Sequence, residues 1–388
     1  MNKQTYIIAI CIFIMATGGY AAMPLFVVMT KVHGISLVQV GILTAVYIFS
    51  QKVTPIIFGL LGDYYGHRKM ACIGEALRGI GFIGLGLCGQ YPLLCLCAAI
   101  AGVGGGVAGP SLRAMIMLSS ARIFRQRVSA LRATADNSAI IAGPLLGGLS
   151  IFLGHLTAIF LTAGICYLLG IGLLLIFTTK NHVPPSRSLN PFSIYKKAWT
   201  NHRLIHIMIY MFFIWLLYAQ IFVSMPEYAN SFTSHIEQLF LINGVIGVLF
   251  QYPISRWCGK TTQPHWSICF GTLLFMLTFF ILGLIQGSLG LYIGIILFTF
   301  GELLIFPMAE TMIANLSSDG KNIAAYFGIS SLSDGLGRPA GSFIGALLFE
   351  NITYPRAGWY LFSAFCLGLL IYGLILFKSA SFRKRDFL

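Results

Sequence analysis

Residues 59–69 read Gly59-Leu60-Leu61-Gly62-Asp63-Tyr64-Tyr65-Gly66-His67-Arg68-Lys69. One apolar run, about 37–61, leads into this stretch, and another, about 70–89, leads out of it. Glycine, lacking a Cβ, suits a tight reversal and lets helices approach closely. Asp63 falls at a helix end, where it can cap or pair across an interface. Arg68 and Lys69 hold the reversal on one side of whatever the two runs cross. A bilayer core is crossed by about 20 mostly apolar residues, so the stretch reads as a turn between two spanning helices.

The same pattern extends in both directions. Apolar runs lie at about 5–30, 37–61, 70–89, 93–118, 129–153 and 156–178, and again at about 204–226, 236–256, 267–286, 290–316, 323–348 and 357–377. Backbone polar groups in hydrocarbon must be paired within the segment, so these runs are helices. A transmembrane barrel would show short alternating segments instead. The first run follows Lys3 and continues to about Val28. That is too long for the apolar core of a cleaved leader, and no small-residue cleavage pattern closes it.

Composition agrees. Of 388 residues, 57% are hydrophobic and 9% charged, against roughly 25% charged in soluble domains. The net charge of +14 invites a nucleic-acid reading, but its placement does not. Eighteen of the 25 Lys and Arg fall in alternate loops and the termini, among them Arg122, Arg125, Arg127, Lys196, Arg256 and Lys260. Only Lys31 and Arg356 fall in the opposite loops. This is the positive-inside bias, which predicts cytoplasmic termini; basic loops beside anionic lipid require no nucleic acid. The nine cysteines lie mostly inside apolar runs without a CxxC and read as small apolar residues, not as metal ligands or disulfides. No Walker-type nucleotide motif is present.

The expected fold is an all-α membrane protein of twelve transmembrane helices in two pseudo-symmetric six-helix halves. Residues 1–178 form the first half, 179–203 a basic cytoplasmic linker, and 204–388 the second half with a short basic tail. Gly104-Gly105, Pro110, Arg113, Met115 and Ile116 align with Gly301-Glu302, Pro307, Glu310, Met312 and Ile313 at one offset of 197. Asp136, Gly143 and Gly147 align with Asp334, Gly341 and Gly345 at 198, and Met23-Pro24 matches Met225-Pro226. Equivalent helices run in matching directions, as in a parallel repeat about an axis normal to the membrane.

The 59–69 stretch closely resembles the loop signature of the major facilitator superfamily, G-x-L-x-D-r-x-G-r-k. Its carriers here are Gly59, Gly62, Asp63, Gly66, Arg68 and Lys69. The resemblance implies a loop that latches one state of an alternating-access cycle. The second-half turn, Arg256-Trp257-Cys258-Gly259-Lys260, lacks the acid. Gly143-Pro144-Leu145-Leu146-Gly147-Gly148, with Asn137 upstream, is similar to the family's antiporter motif, although Ala139 replaces an upstream glycine. Gly143 and Gly147, one turn apart, also suit a plain helix-packing seam, and Pro144 can kink it. Residues 104–114, 252–257 and 307–311 narrow the likeness to a multidrug efflux subgroup of drug:proton antiporters. The resemblance implies a multi-pass protein of the bacterial inner membrane, working as a monomer, driven by the proton gradient without a bound cofactor.

Charges within the apolar runs are costly and are functional candidates by default. They are Lys52, Glu75, Arg78, Arg113, Arg132, Asp136, Glu302, Glu310, Asp334 and Arg338. Glu75/Arg78, Arg132/Asp136 and Asp334/Arg338 have i, i+3 or i, i+4 spacing, so each pair reads equally as a local structural pair. The resemblance places helix 3 at the periphery, and helices 4 and 10 along the central cavity. Arg113 and Glu310 would then face each other across the pathway as a proton-labile pair. Glu302 lies about 12 Å from Glu310 along the helix, with no basic neighbour on its own helix. Glu310 and Glu302 are the first candidates for proton coupling, and Asp136 and Asp334 the second. The acid that many relatives carry in helix 1 is missing, as is an arginine early in helix 4. Lys52, deep in helix 2, is expected to face the cavity beside Arg113. Tyr20, Met23, Tyr210, Trp215, Tyr218, Met225 and Tyr252 offer an adaptable apolar wall.

The function expected is proton-coupled export of small amphipathic molecules or drugs by alternating access. The alternative is export of an anionic metabolite such as a carboxylate siderophore, which Lys52, Arg113, Arg132 and Arg338 would suit. An enzyme would require a clustered nucleophile–base or metal constellation. The sequence shows none, and its histidines fall mostly in loops.

Overall fold

A computed structural model of the chain describes residues 2–22, 35, 37–152, 157–178, 196, 198–230, 237–261, 263–316, 322–351 and 355–378. The long helices are α1 (Lys3–Ala22), α2 (Leu37–Tyr65), α3 (His67–Leu87), α4 (Tyr91–Leu118), α5 (Arg125–Phe152) and α6 (Ala158–Phe177), then α7 (His202–Tyr218), α8 (Glu237–Thr261), α9 (Pro264–Leu284), α10 (Ser288–Leu316), α11 (Ile323–Asn351) and α12 (Pro355–Lys378). Among the described residues there is no strand. Nine helices there are long and apolar enough to cross a membrane. The long helices outside that set are α2, α5 and α11, which carry Lys52 and Asp63, Arg132 and Asp136, and Asp334 and Arg338.

The expected single run at 204–226 is broken. After α7 come a 3-10 turn, Ala219–Ile221, and a short helix, Ser224–Asn230. Pro226 has no N–H to give the carbonyl four residues back. At the break the Gln220 amide donates to the carbonyls of Leu216 and Gly341, both at 2.9 Å, and Ser224 Oγ donates to Gln220 Oε1 at 2.6 Å. Side chains thus replace the missing ladder bonds.

The chain divides into two compact units. One contains 1–124, 131–198 and 317–331; the other contains 125–130, 199–316 and 332–388. Two helices therefore pass from one unit into the other: α5 begins in the second, and α11 begins in the first.

Within each unit the packing repeats. In the first, α4 packs on α3 and α2, and α3 on α6; in the second, α10 packs on α9 and α8, and α9 on α12. A Cβ added at Gly104 would lie 2.5 Å from the carbonyl oxygen of Gly74, and one at Gly301 would lie 2.9 Å from that of Gly271. The second pair lies at an offset of 197 from the first at both glycines. Glycine allows these backbones to touch, as at small-residue membrane seams. Interior prolines also recur in repeat-related helices: Pro55 and Pro253 in α2 and α8, Pro110 and Pro307 in α4 and α10, Pro144 and Pro339 in α5 and α11. Helices α3, α6, α9 and α12 have no proline beyond their first turn. Proline removes a ladder bond and permits bending, so kinkable and straight helices are sorted identically in both units.

The cores are aromatic. Tyr47, Phe82, Phe160 and Tyr167 are fully buried in the first unit, and Phe275, Phe279, Phe298 and Trp359 in the second. Large apolar side chains are exposed along α6 (Leu168, Leu169, Leu175, Ile176) and α12 (Leu361, Leu367, Ile371, Ile375). Such continuous exposed apolar faces suit lipid and not water.

Candidate functional site

The reversal between α2 and α3 is the single residue Gly66, at φ +99°, a conformation side chains rarely adopt. Asp63, one turn earlier, is buried and accepts backbone N–H bonds from Ala324 (3.2 Å) and Ala325 (2.8 Å) in the first turn of α11. The first N–H groups of a helix have no partner within it, and a carboxylate there also meets the positive end of the helix dipole. His67 Nε2 lies 3.7 Å from Asp63. A Cβ at Gly62 would lie 2.5 Å from Ser111 Oγ and 3.2 Å from the Ala324 methyl, so the glycine sets how closely α2, α4 and the start of α11 meet. Arg68 donates to the Leu175 carbonyl at 2.5 Å. Gly59 lies within α2 and Lys69 on the exposed face of α3.

The repeat-related junction uses other chemistry. Gln126, at the start of α5, donates through its amide to the Ser255 carbonyl of α8 (3.2 Å), and Ser255 Oγ donates back to the Gln126 carbonyl (3.0 Å). Arg125 donates to the Ala314 carbonyl and to Asn315 Oδ1, both at 2.7 Å, closing the end of α10. A cation there complements a helix C-terminus. The Gln126–Ser255 pair thus joins α8 to the start of α5 without the acid that the Arg256–Lys260 turn lacks.

Of the antiporter-like glycines, Gly143 packs α5 against α1. A Cβ at Gly143 would lie 2.6 Å from Tyr20 Cβ. In the second unit one at Gly341 would lie 2.2 Å from the Leu216 carbonyl oxygen of α7, and one at Gly345 the same distance from Gln220 Oε1. Pro144 is exposed, Gly147 is buried, Asn137 is half-buried, and Gly148 lies within α5.

The candidate acids have distinct surroundings. Glu310 on α10 is buried and accepts a bond from Ser129 Oγ of α5 at 2.7 Å. Arg113, its expected partner, is half-buried on α4 in the other unit. Glu302 accepts bonds from Asn243 Nδ2 of α8 (2.8 Å) and from the Tyr218 hydroxyl (3.4 Å). Asp136 pairs with Arg132 one turn before it. Asp334 lies 2.5 Å from Arg338, whose guanidinium sits over the rings of Trp215 (4.3 Å) and Tyr218 (5.1 Å). Trp215 stacks on Phe306 at 4.2 Å.

Glu75 and Arg78 do not stay at a periphery. Their side chains are 3% and 20% exposed. Arg78 lies 4.0 Å from Glu75, donates to the Tyr47 hydroxyl of α2 at 3.1 Å, and sits 4.9 Å over the Tyr167 ring of α6. Lys52 and Tyr252 are half-buried on α2 and α8, and Tyr20 is half-buried on α1. Met23 lies outside the described residues. Two expected wall residues are core instead. Tyr210 is buried, shares a 2.7 Å hydrogen bond with Thr272 Oγ1, and stacks on Tyr372; Met225 is also buried.

Sequence reasoning missed Ser129, Tyr47, Phe306 and Asn243. Only Asn243 left a signal, an amide inside an apolar run. Among the described residues no group of three metal-ligating side chains occurs, and the cysteines are free thiols.

Apolar helices of spanning length, exposed apolar faces along them, and a charged helix reversal define a multi-pass membrane protein. The Major Facilitator Superfamily model matches residues 8–260 and 233–387. The chain belongs to that superfamily and is a transporter, not an enzyme. It is 23% identical over 375 residues to the multidrug resistance protein MdtH of Sodalis glossinidius (strain morsitans), covering 95% of this chain and 91% of that protein. It is 24% identical over 370 residues to the protein of the same name from Escherichia coli O157:H7 (strain EC4115 / EHEC), covering 92% and 90%. The human organic anion transporter MFSD10 (TETRAN) has a similar crystal structure, with a TM-score of 0.78, 14% identity, and coverage of 95% and 98%.

Proposed function

We propose that this transporter exports small amphipathic molecules in exchange for protons, by alternating access, from the cytoplasm across a bacterial inner membrane. The carrying observation is the buried Glu310 carboxyl and its Ser129 hydroxyl partner. A hydroxyl can donate to a carboxylate and accept from a carboxylic acid, so this partner serves both protonation states. Glu302 has the phenol of Tyr218 and the amide of Asn243, and is the second proton candidate. Asp63 holds the first turn of α11, and breaking that bond frees a helix that runs on into the other unit. The basic loops support an orientation with both termini in the cytoplasm.

The multidrug resistance names of relatives matched along almost the whole chain support drug-like cargo. An anionic siderophore has less support: of the four cations expected to attract it, Arg132 and Arg338 already have carboxylate partners. The organic anion in the MFSD10 name belongs to a neighbour at 14% identity, which speaks for fold and not for cargo.

The test is cargo-evoked proton movement in proteoliposomes, with a lipophilic cationic dye beside a polycarboxylate. The dye should evoke a proton signal in the wild type. Glu310→Gln should abolish it while protein level is preserved. Undiminished proton-coupled flux in that variant removes Glu310 from the mechanism; a signal with the polycarboxylate alone overturns the choice of cargo.

A further inference from the structure

Arg338, one of the intramembrane cations, rests on the face of aromatic rings without being sealed in. Arg338 lies over Trp215 at 4.3 Å and Tyr218 at 5.1 Å. The floor beneath it is continuous: Trp215 stacks on Phe306 at 4.2 Å, and Tyr218 meets both edge-on at 5.3 and 5.1 Å. The hydroxyl of Tyr218 donates to Glu302, joining the floor to a carboxylate, and Asp334 flanks the guanidinium from the preceding turn. Ring faces attract cations, most strongly at Trp. The Arg338 side chain is 40% exposed and that of Asp334 is 16% exposed, so the seat opens outward. All these residues belong to the second compact unit.

We propose that Arg338 is the resident occupant of a cation seat formed by Trp215, Tyr218 and Phe306 with Asp334 and Glu302, and that flat aromatic cations bind by displacing it. A planar guanidinium on an indole marks the position and orientation that such a ligand would take. With Arg338 swung away, the seat retains two carboxyls and three rings, a lining that favours cations over anions. Arg338 thereby sets specificity: a ligand must out-compete a tethered guanidinium, which flat, delocalised cations do better than compact, strongly hydrated ones. The inference rests on the export reading in one respect, that α7, α10 and α11 meet cargo.

Binding of ethidium, a flat aromatic cation, to purified full-length protein in detergent tests this without any proton gradient. Arg338→Gln should bind it about tenfold more tightly than wild type, and Arg338→Lys, which keeps the charge but not the planar stack, a few-fold more tightly. Adding Trp215→Leu to Arg338→Gln should cancel the gain. Equal or weaker ethidium binding by Arg338→Gln overturns the proposal, as does loss of citrate binding there, which would make Arg338 an anion receptor. Should Arg338→Gln not fold, Arg338→Lys and Trp215→Leu alone decide: no tightening in the first, or no weakening in the second, overturns it equally. Wild type that binds ethidium but does not export it would break the export reading and leave the seat standing.

Discussion

Two arginines in this molecule make the same contacts with opposite consequences. Arg78 has an acid three residues before it and a tyrosine ring beneath it; Arg338 has an acid four residues before it and two rings beneath it. What differs is enclosure. The Arg78 and Glu75 side chains are 20% and 3% exposed, those of Arg338 and Asp334 40% and 16%. Around Arg78 the neighbouring helices present glycine. A Cβ at Gly105 would lie 3.3 Å from its Nε, and one at Gly19 would lie 3.6 Å from its Nη2. The small residues let α1 and α4 close over the guanidinium. An ion pair on an aromatic face is thus a structural tie when helices seal it, and an exchangeable seat when they do not.

The repeat sharpens this contrast. At the offset of 197, Glu75 and Arg78 correspond to Thr272 and Phe275. The second unit ties the same place without charge: Thr272 bonds the Tyr210 hydroxyl, and Phe275 stacks on Phe298 at 4.3 Å. The backbone contact is kept in both units while the side-chain chemistry is exchanged.

The largest effect is therefore expected at Glu75. Glu75→Gln leaves the Arg78 charge enclosed without its carboxylate, and removing one partner of a buried pair costs about 3–5 kcal/mol. Thermal unfolding of the detergent-purified protein should show a large loss of stability. An unchanged transition would mean that the first cluster is not a tie, and the contrast with Arg338 would collapse.

Next in size is Gly104→Ala, which tests the enclosure itself. Its Cβ would lie 2.4 Å from the backbone nitrogen of Arg78, and a backbone atom cannot swing aside. Overpacking of this kind costs about 1–3 kcal/mol. The control is Gly109→Ala on the same helix, where a Cβ meets nothing within 4 Å. That variant should be neutral or slightly stabilising, because alanine loses less backbone entropy than glycine. Equal behaviour of the two in the same unfolding assay would refute the close approach of α3 and α4.

These features were unequally legible in the sequence. The spanning runs and the reversal at Gly66 could be read because each is a local pattern, and the repeat because two such patterns recur at offsets of 197 and 198. The Asp334/Arg338 spacing was local too, but the rings beneath Arg338 come from α7. Asp63 marked a helix end, yet its partners are 261 and 262 residues away, and the Ser129 partner of Glu310 is 181 away. Tyr210 and Met225 were assigned to a cavity wall and are core. The run that holds both is apolar on nearly every side, and it breaks between them at Ala219–Ile221, so periodicity does not reveal which face packs inward. In lipid the apolar residues fix where a helix spans, and the few polar ones fix what it touches.

The smallest stability effect is expected at Asp334→Asn, and its smallness carries information. Arg338 keeps its rings when the carboxylate is lost, and the pair is less enclosed than Glu75 and Arg78, so the change should cost clearly less than Glu75→Gln. Binding should respond more than stability. Asp334 has two opposed roles: it holds the resident guanidinium in the seat, and it would hold an incoming cation there. Removing it weakens both, so ethidium affinity should shift far less than in Arg338→Gln, where only the competitor is removed. Titrating Asp334→Asn, Arg338→Gln and the double variant separates the two roles. In the Arg338→Gln background, loss of Asp334 should weaken ethidium binding outright, because the competitor is already gone. If it does not, Asp334 serves the arginine alone and is no part of the cation seat.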